Sequence, residues 1–367
     1  MEKGWKIDTE FGCNPHTFRS KYFVERLPKQ QNVAVKDIAN SQQFDDKLLC
    51  VAPMMAWTDR HCRTLHRLIA PHAWLYTEMV VADAIRFGQA SRLLDHGDHE
   101  QPLALQLGGS DPQTLSEAAQ VAETNGFNAV NLNVGCPSER VRKGSFGACL
   151  MLQPELVAEC IKSMCDAVSI PVTVKCRLGV DDQASYRKLA EFVGRVSEAG
   201  AQLFIVHARK AILTGLSPAQ NREIPPLDYE QVRQLKTDFP ALSILLNGGL
   251  NDADTVKDVL EWADGVMIGR AAYRHPPFLG ELHDVLYPKI DCCDNFQSVL
   301  NRYTVYMERE LHRGTRLHDM TRHLLGLFRG LPGSRHYRRY LSEQARRGDA
   351  GIDTFHRACA EIELKAA

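Results

Sequence analysis

Eight short apolar runs, each followed by a segment of helical character, set the strongest limit on what this 367-residue chain can fold into. They read LLCVAPMM, WLYTEMV, PLALQLGG, AVNLNVGC, PVTVKCRLG, LFIVHARK, SILLNGG and GVMIGRAAY, beginning at Leu48, Trp74, Pro102, Ala129, Pro171, Leu203, Ser243 and Gly265. Successive starts lie 22 to 42 residues apart, the length of a strand plus a returning helix. Near-continuous apolar strands are what a parallel sheet needs, because helices cover it and its strands meet no water. Between the runs, Ser110-Asp111-Pro112 offers a capping side chain and a first-turn proline, Gly126 a stop, and Asn251-Asp252 a second cap. Eight units in series predict an α/β fold, a (β/α)₈ TIM barrel, over residues 47–290. An open doubly wound sheet is the competing architecture. It needs a glycine-rich fingerprint after the first strand, and APMMAWTDR is not one.

The flanks differ from the repeat. Residues 1–46 show no sustained period and are rich in Lys, Gln, Asn and Asp, the pattern of a disordered N-terminal extension. After Tyr287-Pro288 the strand pattern stops, and segments 296–313, 315–329 and 337–347 carry apolar residues at helical spacing, so residues 291–367 are predicted to form a helical domain. Residues 294–367 hold 13 Lys and Arg against 9 Asp and Glu, while the chain as a whole has a net charge of −1. A basic tail on an acidic body fits either a solvated helical face or a partner bearing phosphates, and excludes a general polyanion binder. No apolar run approaches the roughly 20 residues of a membrane helix, and the N-terminus lacks the pattern of a secretory signal. A cytoplasmic protein with reduced thiols is expected. The eleven cysteines include no CxxC pair, so most read as small buried hydrophobes and no metal site is expected.

In a barrel of this kind chemistry sits at the C-terminal ends of the strands. Polar residues gather there: Met54 and Met55, Glu78, Gln106, Asn133 and Cys136, Lys175 and Arg177, His207 and Arg209, Asn247-Gly248-Gly249, and Gly269-Arg270. Glycines directly after the seventh and eighth strands let backbone N–H groups approach an anion, which implies a phosphate-bearing ligand; a plain tight turn is the competing explanation. Lys175 lies in an otherwise apolar strand, where an ammonium must be paired or serve a ligand. It reads as a Schiff-base lysine, as a cation beside an electron-rich cofactor ring, or as half of an internal ion pair. His207 shares that rim. Cys136 stands between Gly135 and Pro137, whose turn holds the thiol at the barrel mouth, where it can attack as a thiolate or donate a proton as a general acid.

Taken in this order and at these spacings, APMM, NVGCPS, VKCRLG, VHAR, LNGG and GRA resemble the tRNA-dihydrouridine synthases, flavoproteins that reduce uridine in the D-loop of tRNA. The segments GLSPAQNREIPPLDY and LPGSRHYRRYLSE look closest to the A-type subfamily, which acts at positions 20 and 20a. The resemblance covers residues 48–350 and omits the N-terminal extension. It implies an FMN-binding barrel with a C-terminal helical tRNA-binding domain, and NADPH as reductant. Carried over position by position, Pro53, Met54 and Met55 line the flavin, Gln106 meets its pyrimidine edge, Lys175 and His207 contact it, and Asn247, Gly248, Gly249, Gly269 and Arg270 hold its phosphate. Cys136 becomes the proton donor to C5 of the uracil, hydride from N5 of the flavin reaching C6. Asn133, Arg177, Arg209, Lys210, Arg222, Arg335, Arg338 and Arg339 become contacts to tRNA, with Arg140, Arg142 and Lys143 directed at RNA phosphate. No membrane and no obligate protein partner are expected. An FMN barrel acting on a free pyrimidine or enone, an idle RNA-binding barrel and a Schiff-base aldolase remain alternatives.

Overall fold

The computed structural model describes residues 47–88, 90–288 and 296–362, so the expected extension over residues 1–46 lies outside the described residues. The eight runs form nine parallel strands: β1 (Leu48–Val51), β2 (Leu75–Tyr76), β3 (Val80–Val81), β4 (Leu103–Gly108), β5 (Ala129–Val134), β6 (Val172–Arg177), β7 (Leu203–His207), β8 (Ser243–Asn247) and β9 (Gly265–Ile268). Their order is β1-β9-β8-β7-β6-β5-β4-β2, with β3 also pairing β4. The ring closes between β1 and β2, where Val51 N donates to Trp74 O and Trp74 N to Leu49 O, both at 2.8 Å. This is the (β/α)₈ barrel that the spacing predicts.

The second run departs from a single strand. Thr77 interrupts it: its hydroxyl accepts from Gln106 N (3.1 Å) and donates to Glu78 O (2.8 Å). A side chain thereby takes a ladder position that backbone would fill, and the pairing resumes only at Val80. The break carries Glu78 to the rim, where its carboxylate accepts from Ala56 N.

Period-two alternation sorts every strand. Leu48, Cys50 and Ala52 of the first run join Trp74, Tyr76, Ala104, Ala129, Leu203, Ile205, Leu245 and Met267 in one buried cluster that fills the barrel. Residues of the other parity, such as Leu49, Leu105, Leu132, Phe204 and Leu246, are fully buried as well, under the helices. Each such Leu contributes about 1.5–3 kcal/mol by burial. The returning helices begin where the sequence offers caps: Asp111 accepts from Thr114 N ahead of helix Pro112–Thr124, and Asp252 from Thr255 N ahead of Ala253–Leu260. Gly126 takes φ +83° at the first of these helices' exit. Near the start of β4, the buried Arg63 and Glu100 pair at 2.6 Å, and Arg67 donates to the carbonyls of Glu100 and Pro102.

Residues 296–362 belong to a second compact unit, with helices Phe296–His312, Leu317–Thr321, Ser334–Gln344 and Ile352–Ala360. The helix predicted over 315–329 is shorter than expected. After Thr321 the chain runs in turns, with Leu324 N bonded to Thr321 O and Leu327 N to Leu324 O. Tyr337 Oη donates to Leu324 O (3.2 Å), and Leu324, Leu327 and Phe328 stay buried. Turns of this three-residue kind keep apolar residues on one side, so the sequence pattern imitates a helix. The last helix was not legible at all, because its burial rests on Phe355 and Ala358 alone.

A candidate active site at the strand ends

The rim residues are inward members near the upper ends of the strands. Gln106 follows Ala104, Asn133 follows Asn131, Lys175 follows Thr173, His207 follows Ile205 and Asn247 follows Leu245, each two residues on. The same alternation that fills the core therefore delivers five polar side chains to one end. Strand register strengthens this, since Asn133 pairs with Lys175, Arg177 with His207, and His207 with Asn247.

A chain of side-chain amides runs up to Cys136. Thr173 Oγ1 donates to Val130 O and accepts from Asn131 Nδ2 (2.9 Å); Asn131 Oδ1 accepts from Gln106 Nε2 (2.8 Å); Gln106 Oε1 accepts from Asn133 Nδ2 (2.8 Å). At the top, Asn133 Oδ1 accepts from Gly135 N (3.1 Å) and Cys136 N (2.9 Å). Backbone N–H groups can only donate, so this end fixes the orientation of every amide below it. Gln106, only 1% exposed, keeps one N–H and one lone pair for a ligand. Asn131 was not singled out in the sequence; its spacing of two from Asn133 inside a buried strand is the signal that marks it. Cys136 is half-buried, with Sγ 3.5 Å from Ser138 Oγ.

Lys175 Nζ has one hydrogen bond, to Asn247 Oδ1 (3.0 Å), and no carboxylate pairs with it among the described residues. Burial first, then the nearby Arg177 guanidinium, lower its pKa to about 8. Asn247 is held in turn by its Nδ2 on Met267 O (2.7 Å). His207 is kept neutral, its pKa held well below the usual imidazole value by burial and then by Arg177 and Lys175. Gly248 and Gly249 both take left-handed φ, +104° and +76°. A Cβ on Gly248 would fall 2.6 Å from the His207 ring, and one on Gly249 would fall 2.4 Å from Leu227, so this turn exists only as glycine. Tyr229 Oη donates to Gly248 O (2.7 Å) and pins it.

Arginines surround the mouth, most of them engaged. Arg177 is 3% exposed; its Nε donates to Gly135 O (2.9 Å), and Nη1 to Lys210 O and Asn221 O. It ties the Cys136 loop to the segment after β7. Arg209 Nη1 donates to Glu223 O and Pro225 O, while its buried Nε has no partner among the described residues. Arg270 pairs with Glu223 at 2.6 Å and donates to Arg222 O. Lys210 Nζ reaches Asp181 O (3.4 Å), and the Arg222 side chain lies exposed. On the opening loop, Pro53 and Met54 are half-buried and Met55 is 61% exposed. Gly269 precedes the short helix Arg270–Arg274. Arg335, Arg338 and Arg339 are exposed on helix Ser334–Gln344 of the second unit. Asn221 and Glu223 are participants that the sequence did not disclose, because their partners lie across loops rather than along a strand.

The family model for dihydrouridine synthase matches residues 50–363. A Yersinia pestis protein named tRNA-dihydrouridine(20/20a) synthase is 51% identical over 326 residues, 88% of this chain and 94% of that protein. A Vibrio cholerae protein of the same name is 49% identical over 315 residues, covering 86% and 96%. Among solved structures, a 2-naphthoyl-CoA reductase aligns with a TM-score of 0.51 at 11% identity, over 69% of this chain and 52% of that one, a likeness of fold.

Proposed function

Because the chain belongs to the dihydrouridine synthase family, we propose that the rim described above reduces uridine to 5,6-dihydrouridine in tRNA, at positions 20 and 20a as in the relatives' name. The observation that carries this reading is the anchoring of the Cys136 loop, through Asn133, to the same strand ends that present Lys175. Such a rim needs a resident electron carrier, and its residues fit FMN. Lys175 is an ammonium with a neutral partner only, an arrangement suited to a ring that becomes negative on reduction. The Gly248–Gly249 turn offers backbone, free of side chains, to a phosphate, with Asn247, Gly269 and Arg270 beside it. Gln106 retains donor and acceptor capacity for a pyrimidine edge, while Pro53, Met54, Met55 and His207 complete the lining.

With FMN bound and NADPH as its reductant, the site gains a hydride donor for C6 of the uracil. The protein's own part is positional and acid–base. Cys136 delivers its proton to C5, and the thiolate left behind lies within the field of Lys175 and Arg177. A reducing cytoplasm keeps that sulfur a thiol between turnovers. The target base must leave its stack, at a cost of a few kcal/mol, and enter a mouth whose loops Asn133 and Arg177 hold in place. Arg209, Lys210 and Arg222 at the mouth, with Arg335, Arg338 and Arg339 of the helical unit, contact the tRNA and offset that cost.

The test is Cys136→Ala in the flavin-loaded enzyme. It should keep the yellow absorbance and its reduction by NADPH, yet form dihydrouridine in tRNA at least about 100-fold more slowly, the span of a lost general acid. Formation at the wild-type rate would refute the assignment.

A further inference from the structure

Beside the Cys136 loop runs an open groove of about 550 Å³, and of its lining only Arg142 has been given a role above, toward RNA phosphate. One bank is Pro137, Glu139 and Arg142; the other is the loop with Leu213, Leu216 and Pro218. Both banks are preformed. Leu213 N donates to Asp181 Oδ1 (2.9 Å), and the buried Asn221 closes the loop by accepting from Ile212 N (2.7 Å) and donating to Ile212 O (2.8 Å). Gly215 takes φ +84° at its tip. Across the groove, Ser138 caps the short helix Glu139–Lys143 and touches the Cys136 sulfur, so the groove adjoins the place where the target base is worked on.

Its charges point to a nucleic-acid strand. Glu139 pairs with Lys143 at 2.9 Å, whereas the side chain of Arg142 is exposed and makes no ion pair or hydrogen bond among the described residues. Walls that set Pro137, Leu213, Leu216 and Pro218 among the hydroxyls of Thr214 and Ser217, with one free guanidinium, suit a base with its phosphate. Resting on the reading of the site as a tRNA uridine reductase, we propose that this groove seats the nucleotide adjoining the target in the same RNA strand. Prolines and leucines flank its base, and Arg142 meets its phosphate.

The experiment uses the flavin-loaded enzyme and two tRNAs, one with uridine at both positions and one with an abasic residue at the neighbour. Initial rates of dihydrouridine formation give kcat/KM for wild type, Arg142→Ala, and Arg142→Ala with Leu216→Ala. Loss of the neighbouring base should lower wild-type kcat/KM on the order of tenfold, the effect of no longer burying its faces against Pro137, Leu213 and Leu216. The double variant should show a comparable loss on intact tRNA and little further loss on the abasic one. Independent, multiplying losses, or variants that match wild type on intact tRNA, would overturn the groove's role. Unchanged flavin absorbance checks the fold, and Arg142→Ala alone, at an exposed side chain without partners among the described residues, serves if the double variant loses it. Wild-type enzyme that reduces neither tRNA would instead overturn the reading of the site.

Discussion

Replacing Asn133 with alanine removes three hydrogen bonds at one stroke: the donor to Gln106 Oε1 and the acceptor shared by the amides of Gly135 and Cys136. Gln106 Oε1, in a residue 1% exposed, then has no donor, at about 1–3 kcal/mol. The two amides lie in a half-buried loop that water can partly satisfy, so together they add about 1 kcal/mol. The Asn133→Ala variant should therefore lose about 2–4 kcal/mol, and a barrel of this size melts about 2–4 °C lower for each kcal/mol. The thiol loop also loses its tether, and a misplacement of about 1 Å at a reacting group lowers a rate by about 100-fold. Thermal unfolding of the flavin-free protein and single-turnover formation of dihydrouridine by the flavin-loaded one read the two effects separately. A variant that melts within about 2 °C of wild type and turns over normally would show that the amide chain carries neither stability nor position.

Three further outcomes follow from the geometry. Burial holds Lys175 at about 8, below the range of a free lysine, so between pH 8 and roughly 10.4 the unfolded chain binds more protons and stability rises with pH. Flavin-free Lys175→Met should accordingly exceed wild type in stability by up to about 3 kcal/mol below pH 8 and lose that advantage by pH 10.5; a constant gap in urea titrations across this window would refute the burial argument. Gly248→Ala meets both a left-handed φ and the His207 ring, so a penalty of about 1–3 kcal/mol and weakened flavin retention on gel filtration are expected. Glu100→Ala strands the buried Arg63 guanidinium and should cost about 3–5 kcal/mol in chemical unfolding without altering flavin content.

Much of this was legible in the chain because a parallel barrel writes its strands as apolar runs and its reactive rim as the polar residue that ends each run. Lys175 in PVTVKCRLG and Asn247 in SILLNGG are of this kind, and the caps Asp111 and Asp252 were readable from local chemistry alone. What escaped was cross-chain geometry. Nothing in WLYTEMV announces that the Thr77 hydroxyl will take a ladder position from backbone, since the partner amide, that of Gln106, is 29 residues away. The contacts of Arg177 with three carbonyls, and the closing of the 212–221 loop by Asn221, likewise depend on strands brought side by side. The Leu324–Phe328 stretch misled for the opposite reason: turns and helices bury residues at nearly the same spacing.

The alternation that lifts Lys175 to the rim also restricts how the molecule can change. A single inserted codon in β6 ahead of Val174 would exchange inside for outside along the rest of the strand, pressing an ammonium into the oily layer beneath the helices and turning an aliphatic side chain toward the mouth. Catalytic invention in such a scaffold is thus confined to the loops that leave the strands and to substitutions in place; length changes within the staves are closed to it.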